Sequence, residues 1–199
     1  WRFEYDATAR SMVLGYGGRH LFEATAGVDG IAQPITSAPT VYRYNNKQMV
    51  LFGTGRLWSE ADRTDTQMQS FYGVLDEIAA EASSGGTSTG DGAVVSRQQL
   101  VIQDVRQSSL NNFLNVSTNQ QNDDSKGWVL DLNILTADGS TIVDSPRVIY
   151  APQLIRGFVY FNAISPAPDA ADSTLALRLL ELAADDPVPL VAMSAAVSA

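Results

Sequence analysis

The sequence predicts an all-β fold: a partial β-propeller of antiparallel blades carrying a long inserted loop segment. Three observations predict it. Short runs rich in Val, Ile, Tyr and Phe are bounded by Gly, Pro and Asn, as strands are. One of them, Met49 to Phe52, is apolar at every position, which suits a strand covered on both faces. A hairpin unit also occurs twice. Ala38-Pro39-Thr40-Val41-Tyr42-Arg43 corresponds to Ala151-Pro152-Gln153-Leu154-Ile155-Arg156, and Met49-Val50-Leu51-Phe52 to Phe158-Val159-Tyr160-Phe161. One small twisted sheet cannot bury both of its faces alone, so repeated sheets stack radially and cover each other.

The elements follow in order. Trp1 to Asp6 alternates apolar and polar residues, predicting a half-buried strand that matches the exit strand of an earlier copy. Gly15, Gly17 and Gly18 break the chain; GYGG lacks the Lys-Ser/Thr and the helix of a phosphate loop, so it reads as a turn. A short strand is expected at His20 to Ala24 and a turn region at Gly27 to Gln33. Thr40 to Tyr44 alternates, enters by Pro39 and stops at Asn45-Asn46, residues that tolerate the positive φ of a tight hairpin. After Met49 to Phe52, Gly53-Thr54-Gly55 lets the backbone turn sharply or pass close to a neighbour. A polar loop carries Glu60, Asp62, Arg63 and Asp65, expected as a solvated loop with a local ion pair, and a third strand spans Ser70 to Asp76.

Beyond it the pattern fails. Glu77 to Glu81 fits one helical turn and Ala82 to Gly92 a Gly/Ser/Thr loop. A strand is expected at Gln99 to Val105. A polar segment, Gln107 to Lys126, follows, anchored by Leu110, Phe113, Leu114 and Val116 alone. Gly127 to Leu132 reads as a strand, Asp138-Gly139 as a turn, then Arg147 to Arg156 and Phe158 to Phe161 as strands around Gly157. Leu175 to Leu182 fits either a strand or one face of a helix; the repeat favours the strand, as the counterpart of Phe71 to Asp76. The offset between Ala38 and Ala151 far exceeds the ~40 to 50 residues of a plain blade, so residues 77–126 count as an insertion. Residues 1–182 thus form the blades, expected to be the C-terminal part of a larger propeller domain. Residues 183–199 form an Ala/Ser/Val tail, either frayed or paired elsewhere.

Composition bounds the function. Of 199 residues, 45% are hydrophobic and 18% charged, the balance of a globular protein with a real core. No apolar run approaches the ~20 residues of a membrane span. A net charge of -9 argues against nucleic acid and anionic membrane surfaces as partners, because both are bound through Lys and Arg. No cysteine is present, which removes disulfides and thiolate metal sites. The opening at Trp1, inside a strand pattern and without an initiator Met, reads as a processing site or the edge of a longer chain and says nothing about secretion.

No catalytic, cofactor or metal residues emerge. His20, the one histidine, has no nucleophile elbow to serve and cannot by itself ligate a metal. Calcium loops need alternating oxygen ligands, whereas Asp62 and Asp65 are three apart, Asp123 and Asp124 adjacent, and Asp29-Gly30 offers a single acid. With 22 acidic residues, a carboxylate pair can always be nominated and carries no signal. Tyr42, Tyr44, Phe52, Phe71 and Tyr72 read as blade core rather than as a sugar platform.

One resemblance goes further. The run VLFGTGRL, the acidic DRTDTQ loop and QSFYGVLDE, with WRFEYDA, YGGRHLFEA, QPITSAPTV, GWVLDL and APQLIRGFVYFNAISP in the same order, resemble the C-terminal propeller domain of the PilC/PilY family. These are large adhesins at the tips of bacterial type IV pili, and matching segments run from Trp1 to Leu182. The resemblance implies a non-enzymatic tip adhesin and assembly factor, exported to the cell surface and to the pilus tip, with outer-membrane association. It implies roles in pilus biogenesis, extension and retraction control and attachment, with minor pilins as partners and host or abiotic surfaces as targets. The family's calcium loop has no counterpart among these residues, so calcium is expected only elsewhere in the parent protein. Loops on a rigid sheet carry function, which points to residues 82–126 for partner contacts. Two alternatives remain: a quinone-dependent propeller dehydrogenase, whose blade repeats WRFEYD also resembles, and a generic cell-envelope scaffold.

Overall fold

The computed structural model describes residues 1, 3–15, 18–27, 30–44, 47–76, 94–110, 114–122, 124–165, 173–179 and 196–197. Among them every regular element is a strand except two short 3-10 turns, Glu60–Arg63 and Arg97–Gln99. The expected Asn45-Asn46 turn, the helical turn and loop of residues 77–92, Phe113 and most of the tail lie outside the described residues.

The first blade is built on the meander β5 (Thr40–Tyr44), β6 (Lys47–Gly53) and β7 (Ser70–Asp76), all antiparallel. Every residue of β7 is buried, because it has strands on both edges and packing on both faces. Its second neighbour is β10 (Gly127–Leu135), antiparallel to it. The blade then departs from the purely antiparallel expectation: β8 (Val101–Gln107) runs parallel to β10, and β9 (Leu114–Val116) pairs antiparallel with β8. A short strand, β11 (Ile142–Asp144), pairs with the far end of β10. β8, close to the strand expected at Gln99 to Val105, and β9 both fall in the segment expected as an insertion, and they extend the sheet outward. Amide side chains anchor them where apolar ones are few: Gln103 donates to the Asn119 carbonyl at 2.7 Å and accepts from Ser117 Oγ at 2.8 Å and Asn119 N at 2.9 Å.

The second blade repeats the meander as β12 (Gln153–Ile155), β13 (Phe158–Ser165) and β14 (Ser173–Leu179), joined by β15 (Ala196–Val197). The hairpin turn is Arg156-Gly157, both at positive φ (53° and 82°), the twist that suits a two-residue hairpin. The segment that fitted both strand and helix is a strand in its described part, and the described end of the tail pairs with it. Cross-strand register confirms the repeat: Val41 opposes Val50 as Leu154 opposes Val159, and Thr40 opposes Leu51 as Gln153 opposes Tyr160.

The two blades pack face to face. Met49, Leu51, Phe71, Leu75, Trp128, Leu130 and Leu132 on one side meet Val148, Val159, Phe161 and Ala163 on the other. The Phe71 and Phe161 rings stack at 4.0 Å between centroids and 6° between planes. At the rim Thr40 Oγ1 donates to the Pro152 carbonyl at 2.6 Å. Gly53 is required by this approach, since a Cβ there would lie 2.3 Å from Val148 Cβ. On its opposite face the first blade buries Phe52, Tyr72, Val74 and Val129 against Ala24, Val95 and Leu100.

The N-terminal region differs from expectation. β1 (Phe3–Asp6) pairs with β2 (Ser11–Leu14) in a separate two-stranded sheet, and Phe3 and Tyr5 are 63% and 64% exposed instead of half-buried. No strand forms at residues 20–24. There Phe22 makes one parallel bridge to Val95, because its ring is drawn onto Phe52 and Tyr72. The strand pair is β3 (Thr25–Ala26), just before the region read as a turn, with β4 (Ile31–Ala32) inside that region.

Gly53→Ala is expected to cost about 1 to 3 kcal/mol by overpacking, with Val148→Ala in the same chain recovering part of the loss. Urea unfolding of the four chains of that cycle measures it; a Gly53→Ala chain as stable as the wild type contradicts the close approach.

Candidate functional site

The loop after β6 is fixed from two directions. Thr54 and Gly55 leave the strand through backbone bonds from Thr54 N to the Ser70 carbonyl and from Gly55 N to the Pro34 carbonyl, at 2.9 and 2.8 Å. Inside the loop, Asp62 is 2% exposed, not a solvated residue as the sequence suggested. Its carboxylate accepts from Arg56 Nε at 2.7 Å, Trp58 N at 2.9 Å, and Ser59 N and Oγ at 2.8 and 2.9 Å. Four donors at one carboxylate compensate its burial. The Arg56 guanidinium, helped by the Ser59 and Trp58 amides, holds the Asp62 carboxyl well below the usual carboxylate range against the opposing effect of burial. Glu60 and Arg63 form only an exposed pair at 3.4 Å, as expected of that loop. Asp65 turns the chain by accepting from Gln67 N at 2.9 Å.

From outside the loop comes Arg147, 1% exposed. Its guanidinium donates to the backbone carbonyls of Arg56 at 3.0 Å, Asp62 at 2.6 Å and Asp65 at 2.5 Å. Burial lowers its pKa from the ordinary arginine value. Its backbone exchanges bonds with Ile164 at 2.9 and 2.8 Å, and Val148 N donates to the Thr54 carbonyl at 2.9 Å. Arg147-Val148 therefore laces the loop of one blade to the strands of the next. The sequence offered a signal for this in SPRVIYAP, where one arginine stands in an apolar run; such a residue is fully buried only when paired.

A second polar cluster lies on the opposite face of the first blade. Arg97 is 7% exposed and grips Asp131 through two bonds of 2.6 and 2.7 Å from one nitrogen; its other terminal nitrogen donates to Tyr72 Oη at 2.8 Å and the Thr25 carbonyl at 3.1 Å. The Tyr72 hydroxyl donates to Gln33 Oε1, and Gln33 Nε2 reaches Ser70 Oγ at 3.0 Å, which in turn donates to Asp131 Oδ1 at 2.8 Å. Burial raises the Tyr72 pKa. These groups come from four distant stretches and tie residues 25–33 to the blade. Their spacing gave no sign of it.

The remaining sequence candidates do not converge. His20 stands 4.0 Å from Glu23 and edge-on to Trp1. Asp29 and Asp123 lie outside the described residues, and among those described no three His, Asp or Glu side chains gather as a metal site. Phe52, Phe71 and Tyr72 are buried and Tyr42 packs partly against the core, as blade residues rather than as an exposed aromatic platform. Among the described residues no helix is long and apolar enough to cross a membrane.

Comparisons with known proteins agree with this architecture. A family model described as the PilY1 beta-propeller domain matches residues 3–116. The type IV pilus biogenesis factor PilY1 homolog of Xylella fastidiosa (strain Temecula1) is 29% identical over 135 residues, which cover 66% of this chain and 9% of that protein. The crystal structure of the Pseudomonas aeruginosa PilY1 C-terminal domain aligns with a TM-score of 0.63 at 26% identity, over 86% of this chain and 36% of that one. The chain thus spans a minor part of both relatives.

The Asp62 site makes a prediction about pH. Its folded carboxyl ionises at lower pH than an unfolded aspartate, whose pKa is about 3.9. Its contribution is therefore present above about pH 4 and is lost as pH falls through the folded pKa. In urea unfolding, the stability gap between the wild type and Asp62→Asn is expected to narrow from about pH 6 to about pH 3. An equal gap at both would show that Asp62 is not held as described.

Proposed function

The chain belongs to the PilY1 beta-propeller domain family, and from that membership we propose that it works as a non-enzymatic part of an exported type IV pilus tip factor. In this reading it engages minor pilins, takes part in attachment to surfaces and helps set the balance of pilus extension and retraction. The observation that carries the reading is how the buried charges are used. Arg147 is spent on three backbone carbonyls and Arg97 on Asp131 and Tyr72, so both hold chain to chain. That supports a rigid scaffold that presents its surface, the usual basis of recognition by loops. The family match is to a pilus biogenesis factor and gives the quinone-dehydrogenase and generic-scaffold alternatives no support.

The presented surface has apolar points. Trp58 is 78% exposed while its backbone amide is fixed by Asp62, and Leu110, next to the outer strands of the first blade, is 91% exposed. Large apolar side chains held out to water on a fixed frame are what a partner buries as anchors. Residues 101–107 and 114–116 are strands of the blade, so deleting the whole 82–126 segment would damage the sheet, and point changes are the cleaner test.

Immobilised full-length protein is expected to capture minor pilins, and Leu110→Glu, with an unchanged melting temperature, to weaken capture about tenfold. Failure of the wild-type protein to capture any minor pilin contradicts the proposal; unaltered capture by Leu110→Glu and by Trp58→Glu removes these two side chains from it.

A further inference from the structure

We infer that the outer edge of β9 is a docking edge, which takes an extended, uncharged strand of a partner protein by main-chain pairing. The inference stands on the chemistry of the edge and not on which protein supplies the strand. β9 ends the order of the first sheet and, among the described residues, pairs with β8 alone. Ser117 N donates to the Asp104 carbonyl at 3.0 Å, so the run keeps to β8 beyond the strand proper. In an antiparallel ladder, alternate residues turn their amide and carbonyl to the same neighbour. Asn115 and Ser117 therefore face β8, and Leu114 and Val116 turn theirs to the open side. Further along, side chains close the edge of β8 itself: Asn119 Nδ2 donates to the Ile102 carbonyl at 2.7 Å, and Ser117 Oγ accepts from Asp104 N at 2.9 Å. The open row of the sheet thus lies at β9.

Open edges invite pairing and are ordinarily guarded by charge or proline. The other edge strands of three or more residues follow that rule: β1 carries Glu4 and Asp6, β5 Arg43 and β11 Asp144, while Arg10 and Arg156 flank β2 and β12. β9 breaks it. From Gln107 to Asn122 the sequence has no charged residue, no proline and no glycine, in a chain of net charge -9. The Leu114 and Val116 side chains pack partly against the core, and Asn115 is exposed. An added strand extends that pattern when its apolar residues lie beside Leu114 and Val116 and its polar ones beside Asn115. Leu110, shortly before β9 and 91% exposed, offers an apolar contact beyond the ladder. A second copy would bring another net charge of -9 to the same edge, which favours a less acidic partner as the occupant.

The probe is a blocked peptide of alternating Thr and Val with a Lys at each end, and the readout is backbone hydrogen exchange of the full-length gene product, resolved at Leu114 and Val116. At about 1 mM peptide these two amides are expected to exchange about tenfold more slowly, and the fully N-methylated peptide to change nothing. Val116→Pro removes one outward donor and keeps the bonds to β8, so the protection of Leu114 is expected to be lost. Asn115→Lys puts a charge on the exposed edge without touching the core, and is expected to remove most of the slowing at an unchanged Tm. Absence of slowing at both amides in the wild type overturns the inference. Equal slowing by the N-methylated peptide overturns it as well, because side-chain contact without pairing would then account for the effect. Protection that needs no peptide and grows with protein concentration assigns the edge to a second copy and also overturns it.

Discussion

Everything in this structure depends on the mutual burial of two sheets that are each too small to hide their own apolar faces. The seam is narrow. Phe71 and Phe161 lie flat on one another, and Val148 occupies the space that a missing Cβ leaves at Gly53; within the first sheet, Trp128 does the same over its cross-strand neighbour Gly73, where a Cβ would come within 2.5 Å of its ring. Such packing has little room for change, because a close-packed interior feels even one added carbon. Where the faces meet, Arg147 is brought from the second blade's side to three carbonyls of a loop whose own residues supply the four donors of Asp62.

The polar clusters follow from that geometry rather than compete with it. A buried guanidinium is costly unless its donors are used, and Arg147 uses its terminal nitrogens on three backbone oxygens of the loop. Arg97 instead meets the Asp131 carboxylate, so one cluster holds a loop by neutral acceptors, while in the other an ion pair fixes the guanidinium and hydrogen bonds from Arg97 and Tyr72 hold Thr25 and Gln33. Both act between elements distant in sequence. A scaffold fastened in this way keeps its outer loops in place, which is the physical content of the proposed role in recognition.

Legibility from sequence tracked the range of the interaction. β5, β6, β7 and β10 were readable because period-two alternation or an unbroken apolar run is a local signature of a strand's two faces, and the repeat was readable because the same faces recur. The Gly-Thr-Gly stretch was readable as a close approach, though not what approached. The parallel placement of β8 was not, since nothing within Val101–Gln107 distinguishes a parallel from an antiparallel neighbour. Alternation in Phe3–Asp6 marks a face that would gain from cover, and Phe3 and Tyr5 show that it does not guarantee any. Asp62 was misjudged as solvated because an acidic loop looks the same in sequence whether its donors are water or Arg56, Trp58 and Ser59. Arg147, Arg97 and Gln33 share that difficulty, their partners being set by topology.

The most direct measurement of the central claim is the coupling across the seam, from the unfolding free energies of the wild type, Phe71→Leu, Phe161→Leu and the double variant. Stacked aromatic contacts of this kind contribute about 0.5 to 1.5 kcal/mol beyond area burial, so the two changes are expected to be non-additive by that order. Strict additivity would mean that the rings do not meet in solution, and the face-to-face arrangement of the two blades would be contradicted.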